Sequence, residues 1–141
     1  MPSYSAPVKD MMFLYEKLRD NKNYNDLERY NEVSSDLVKD ILEEAAKINQ
    51  NLILPLAKAG DENPAVLENG VVRTPPGYKE AYQKYIEDGW TSLSCDPKYG
   101  GQGMPKTVSA FFDEMLSSAS LSFKLYSCLL YTSPSPRDNT T

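Results

Sequence analysis

An all-α domain is the fold class this sequence predicts, and three observations carry it. Apolar residues recur at spacings of three and four through four segments, so each segment presents one apolar helix face. The stretches between them are dense in Gly, Pro, Asn and Asp, the residues of turns. No run alternates apolar and polar residues over the length of a half-buried strand. At 141 residues, 40% hydrophobic and 25% charged, the chain suits one domain that can bury its own core.

In the first helical segment Val8, Met11, Met12, Tyr15 and Leu18 share a face, and Pro7 stands at the first turn, where a missing N–H costs nothing. The polar stretch Asn21–Asn25 ends it. The second and longest segment runs from about Ser35 to Ala59. Ser34 or Ser35 is a good N-cap, and Asp36 follows at the positive end of the helix dipole. Its stripe is Leu37, Ile41, Ala45, Ile48, Leu52 and Leu56, widened by Val38, Leu42 and Ile53; Glu43 and Lys47 are spaced for an ion pair, and Pro55 is expected to kink the last turn. Asp61–Gly77 reads as loop, with Val71-Val72 offering a brief pairing at most. Pro76 opens a third helix with Tyr78, Ala81, Tyr82, Tyr85 and Ile86 on one side and Gly89 as a left-handed C-cap. After the connection Trp90–Gly103, the fourth helix carries Val108, Phe111, Phe112, Met115, Leu116 and Ala119 on one face without an error.

Composition excludes several function classes. The formal charge is -5 and the lysines and arginines are dispersed among acids, so there is no basic stripe for nucleic acid. No apolar run approaches the ~20 residues of a membrane span. The opening MPSYSAPVKD lacks the apolar core of a secretory signal, and Cys95 and Cys128 set no disulfide framework. A reducing, cytoplasmic setting is the expectation.

Few residues here invite chemistry, and each has a plainer reading. Tyr99-Gly100-Gly101-Gln102-Gly103 precedes a helix and suggests a phosphate loop, but its spacing fits neither nucleotide-binding pattern and no strand precedes it. A tight connection needing positive φ is the simpler expectation. Cys95 has no histidine anywhere in the chain to activate it, so a small buried thiol is expected. Glu43-Glu44, Asp61-Glu62 and Asp113-Glu114 read as exposed acids rather than acid–base pairs, and Tyr78, Tyr82 and Tyr85 as core rather than a stacking platform. No metal-ligand cluster is spaced for a site.

The ordered set LILPLAKAGDEN, YKEAYQKYIEDGWTSLSCDPKYGGQGMP and FFDEML resembles the N-terminal helical domain of the acyl-CoA dehydrogenases. Gly89-Trp90, Pro97, Tyr99, Gly100, Gly101 and Gly103 match that family's glycine connection; Met115 departs from the second acid of its following helix. The opening SYSAPVKDMMFLYEKL resembles the N-terminal extension of a bacterial branch that includes methylthiopropanoyl-CoA dehydrogenases. The resemblance implies three parts: residues 1–33, an extension with a short helix; residues 34–127, the helical domain, truncated before a β-rich middle domain; and residues 128–141. That last part begins with CLLYTSPSPRD, which resembles the translation of a transposase adapter used in DNA sequencing libraries. It is expected to be a non-native tail, left out of fold reasoning.

For function, the resemblance implies an enzyme that oxidises an acyl-CoA thioester to the enoyl-CoA with FAD as hydride acceptor. Acyl-CoA, an electron-transfer flavoprotein and further copies of the enzyme, as dimer or tetramer, are the implied partners; nucleic acid and a membrane span are not. The implied catalytic base and flavin contacts fall beyond Ser127, so no catalytic or cofactor-binding residue is assigned here, and the fragment alone is expected to be inactive. Met115, Ser118 and Ala119, on the helix after the glycine connection, are the implied acyl-pocket wall. Two alternatives stand beside this: a non-catalytic helical interaction module, with Val108–Ala119 as its binding face, and a fragment of an acyl-CoA oxidase-like relative.

Overall fold

A computed structural model describes residues 3–18 and 27–128 of the chain. It is helical throughout apart from one small hairpin, as the periodicity predicts. Helix α1 (Val8–Phe13) runs into a π-turn, Leu14–Leu18, and buries Met11 and Tyr15. Asn21–Asn25 and nearly all of the 128–141 tail lie outside the described residues.

Helix α2 (Ser35–Ile48) starts at Ser34, whose extended backbone lets its Oγ accept the Leu37 N–H at 3.1 Å. Its buried face is Val38, Leu42, Ala45 and Ala46. The ion pairing differs from the simple i,i+4 expectation, because Lys47 pairs with Glu44 and Glu43 with Lys39, both exposed. Such pairs add little stability.

The long helix does not continue unbroken to Ala59. A π-helical segment, Asn49–Ile53, separates α2 from α3 (Leu54–Glu62). Pro55 supplies the reason: its nitrogen cannot donate to the Asn51 carbonyl, and the wider turn just ahead takes that carbonyl out of α-helical register. Pro55 then sits in the first turn of α3, where no donor is required. Asn49 is fully buried in this segment, and its Nδ2 donates to the Ala45 carbonyl at 2.8 Å.

Between α3 and α4 (Tyr78–Glu87) the expected loop contains an antiparallel hairpin, β1 (Val66–Glu68) and β2 (Val71–Arg73), with Leu67 opposite Val72. Asn69 (φ 51°) and Gly70 (φ 78°) form its turn, a pair that favours the positive φ required there. Every residue of both strands is exposed. In α4, Tyr78, Ala81 and Tyr85 are buried as expected, while Ile86 is exposed. Gly89 takes up the expected left-handed cap at φ 77°.

Helix α5 (Lys106–Cys128) packs on α3, the π segment and α2, and so forms the centre of the domain. Val108, Phe112, Met115, Leu116 and Ala119 are all buried. The helix is broken at Ser120, whose φ of -160° and ψ of 99° are extended. Ser120 acts there as an internal N-cap: its Oγ accepts the Phe123 N–H at 3.3 Å. Its neighbour Ser122 holds the Tyr78 hydroxyl at 2.8 Å, so the restarted turn is fastened to α4. Ser120→Ala is expected to cost about 1–2 kcal/mol, the loss of a cap at a buried site. A urea melt showing no change would contradict the capping role.

Candidate functional site

The connection between α4 and α5 is closed by its own backbone. Two short 3-10 turns, Trp90–Ser92 and Pro97–Tyr99, fold it back on itself. The Gly100 N–H donates to Pro97, Gly101 to Asp96 and Gln102 to Ser92, each at 3.0 Å; Gly103 donates to Cys95 and Met104 to Leu93, each at 2.9 Å. The Asp96 carboxylate accepts the Lys98 N–H at 2.9 Å. Every amide from Gly100 to Met104 is therefore engaged within the loop, and none is left to cradle a phosphate. Gly100 (φ 82°) and Gly103 (φ 70°) have the positive φ expected of a tight connection.

Three contacts set this loop against the helices. The Trp90 ring stacks on Phe112 of α5 with centroids 4.7 Å apart and planes 6° apart. Gln102 Nε2 donates to the Gly89 carbonyl at 2.9 Å, and Lys106 Nζ to Ser94 Oγ at 2.8 Å. Leu93 is the buried anchor of the loop, not Cys95: the thiol is exposed, contrary to the expectation of a buried one. The loop closes through amides that return from Met104 to the Leu93 carbonyl and from Gly103 to the Cys95 carbonyl, and in that closed form Leu93 is buried and Cys95 exposed.

Met115 and Ala119 lie in the core of the domain, 0% and 3% exposed, whereas Ser118 is exposed. The three expected wall residues therefore share a helix but not an environment. Ser118 is flanked by a residue the sequence did not single out, Tyr4. Its hydroxyl, carried on the segment ahead of α1, is buried and close enough to the Ser118 hydroxyl of α5 for the two to interact.

The other invited chemistry resolves plainly. Glu43, Glu44, Asp61, Glu62, Asp113 and Glu114 are all exposed. Tyr78, Tyr82 and Tyr85 surround Phe123 edge-on at 5.6, 6.4 and 5.9 Å, an aromatic cluster bridging α4 and α5. Beside it Val72, Lys79, Tyr82 and Tyr126 border an apolar cleft of about 280 Å³. A wider groove, about 860 Å³, lies between the N-terminal segment and α2, away from the glycine connection. Among the described residues no helix is long and apolar enough to cross a membrane.

No family model matches the chain. Two curated proteins resemble it. It is 42% identical over 130 residues to 3-methylmercaptopropionyl-CoA dehydrogenase of Ruegeria pomeroyi, covering 92% of this chain and 22% of that protein. It is 28% identical over 129 residues to the broad-specificity linear acyl-CoA dehydrogenase FadE5 of Mycobacterium tuberculosis, covering 89% of this chain and 21% of that protein. The chain thus spans about a fifth of the length of the curated relatives it matches. Along that stretch the chain is a homologue of the acyl-CoA dehydrogenases, a piece of that family's sequence.

Proposed function

We propose that residues 34–127 are the N-terminal helical domain of a flavin-dependent acyl-CoA dehydrogenase, with residues 1–33 as its extension. The observation that supports this most is the 42% identity maintained over 92% of the chain. In the complete enzyme the thioester's α proton would go to a carboxylate base and its β hydrogen would leave as hydride, giving the enoyl-CoA; bound FAD would supply the acceptor. The base and flavin contacts belong to polypeptide other than residues 3–128. Acyl-CoA, an electron-transfer flavoprotein and further copies of the enzyme would be the partners.

This domain's share of the work is to shape the site. The closed glycine connection fixes where α5 begins, and the Trp90–Phe112 stack and the core fix its rotation. Ser118 then borders the acyl chain directly. Met115 and Ala119 act from the core, setting how closely α5 approaches the helices behind it. The small Ser118 leaves depth for the chain.

Two results are expected. The 141-residue chain, incubated with FAD and desalted, is expected to be colourless and to form no enoyl-CoA from acyl-CoA; retained flavin would overturn this division of labour. Genomic DNA read through codon 128 is expected to diverge from CLLYTSPSPRD and to continue into further domains. A native stop just after Ser127 would instead favour a free-standing interaction module.

A further inference from the structure

The hairpin β1–β2 buries none of its own strands. Every residue of both is exposed, although Val66, Leu67, Val71 and Val72 are apolar. Leu67 and Val72 stand opposite each other and so share one face of the hairpin. The other face carries Glu68 and Arg73, joined by an ion pair at 2.9 Å. A two-stranded hairpin is marginally stable in water unless something packs on its apolar face. That face is bare here, with Leu67 71% and Val72 63% exposed.

Val72 also borders the apolar cleft of about 280 Å³, whose other walls include Tyr78, Tyr82, Phe123 and Tyr126. Among the described residues, Lys79 alone brings charge to those walls. Tyr126, near the end of α5, lies edge-on to Tyr78 at 5.3 Å and is half exposed. The same last turns of α5 carry Leu121 and Leu125, both exposed and spaced i,i+4 on one helix face. A soluble protein rarely leaves an apolar surface of this kind open unless something sits on it.

Position selects the occupant. Helix α5 runs to Cys128, two residues past Tyr126, so any native polypeptide that follows Ser127 starts at the rim of the cleft. The chain spans about a fifth of its curated relatives, which leaves ample polypeptide to turn back. A segment tethered at the rim meets the cleft at an effective concentration of about millimolar order. A second copy or a separate partner must instead arrive from solution, and the nearly uncharged walls offer little to steer one. We propose, resting on the reading of this chain as the first part of a longer enzyme, that the polypeptide following Ser127 turns back and seats apolar side chains in this cleft, against Val72, Tyr82 and Tyr126. The hairpin is then a clamp that joins the helical domain to the rest of the enzyme, and it fixes the far end of α5.

The test is a photo-cross-link in the complete gene product, with p-benzoylphenylalanine introduced at the exposed position of Leu67. The expected product keeps the mass of one chain on a denaturing gel and joins the hairpin to a peptide beyond Ser127. Hydroxyl-radical footprinting checks the same face without any substitution. Leu67, Val72 and Tyr126 are expected to be modified severalfold more slowly in the complete enzyme than in the 141-residue chain. A cross-link of doubled mass, no cross-link beyond Ser127, or equal modification rates in the two forms would overturn the proposal. So would slow modification of the 141-residue chain that quickens on dilution, the mark of two copies covering the face. The underlying reading fails differently. A native product that stops just after Ser127 overturns both, whereas one that continues and holds flavin, yet leaves the hairpin open, overturns the seat alone.

Discussion

Gly101→Ala is expected to destabilise the chain by about 3 kcal/mol or more, lowering the melting temperature by roughly 10 °C. A Cβ at this position would overlap the carbonyl carbon and oxygen of Cys95. Those atoms are backbone, and they cannot turn aside as a side chain would. Relief requires the two halves of the connection to part, which strains the hydrogen bonds from Gly101 to Asp96 and from Gly103 to Cys95. The neighbouring glycine is the control. Nothing lies within 4 Å of a Cβ at Gly100, so Gly100→Ala meets only the cost of a left-handed backbone, about 1–2 kcal/mol. Equal stability losses in the two variants would contradict the close approach inferred at Gly101.

Phe123→Ala is expected to cost about 3–5 kcal/mol, the range for an aromatic side chain deleted from a packed core. Phe123 is 0% exposed and is the meeting point of Tyr78, Tyr82 and Tyr85. It meets them in the turn that restarts after the break at Ser120, so its loss removes core volume where α5 joins α4. Phe123→Leu, which keeps most of the volume, is expected to lose about half as much or less. A midpoint of urea unfolding for Phe123→Ala within a few tenths of a kcal/mol of the unaltered chain would refute this role.

These positions also show what a sequence can convey. The core face of α5 was legible because burial by an amphipathic helix depends on spacing alone, and Val108 through Ala119 kept that spacing. The caps at Ser34 and Gly89 were legible because their chemistry is local. The break at Ser120 was not, since serine is compatible with either continuing a helix or capping a new one. What decides is the tertiary contact of Ser122 with Tyr78. The hairpin did carry a signal, the Asn69-Gly70 pair, but its strands are too short to show alternation and both faces are exposed. The π segment follows from Pro55, yet proline alone distinguishes neither a kink nor a wider turn. The reversed expectation at Cys95 has the same origin: which of Leu93 and Cys95 turns inward depends on amides returning from Gly103 and Met104. Among the wall residues, Ser118 could be placed on a helix from sequence. Its neighbour Tyr4 lies more than a hundred residues earlier and becomes visible only in the fold.

The most direct measurement is an anaerobic titration of the complete gene product with acyl-CoA, followed by flavin absorbance. Bleaching of a bound flavin, with one enoyl-CoA formed for each flavin reduced, is the expected result. A complete product that carries no flavin, or one whose flavin stays oxidised in the presence of acyl-CoA, would contradict the assignment of this domain to a working acyl-CoA dehydrogenase.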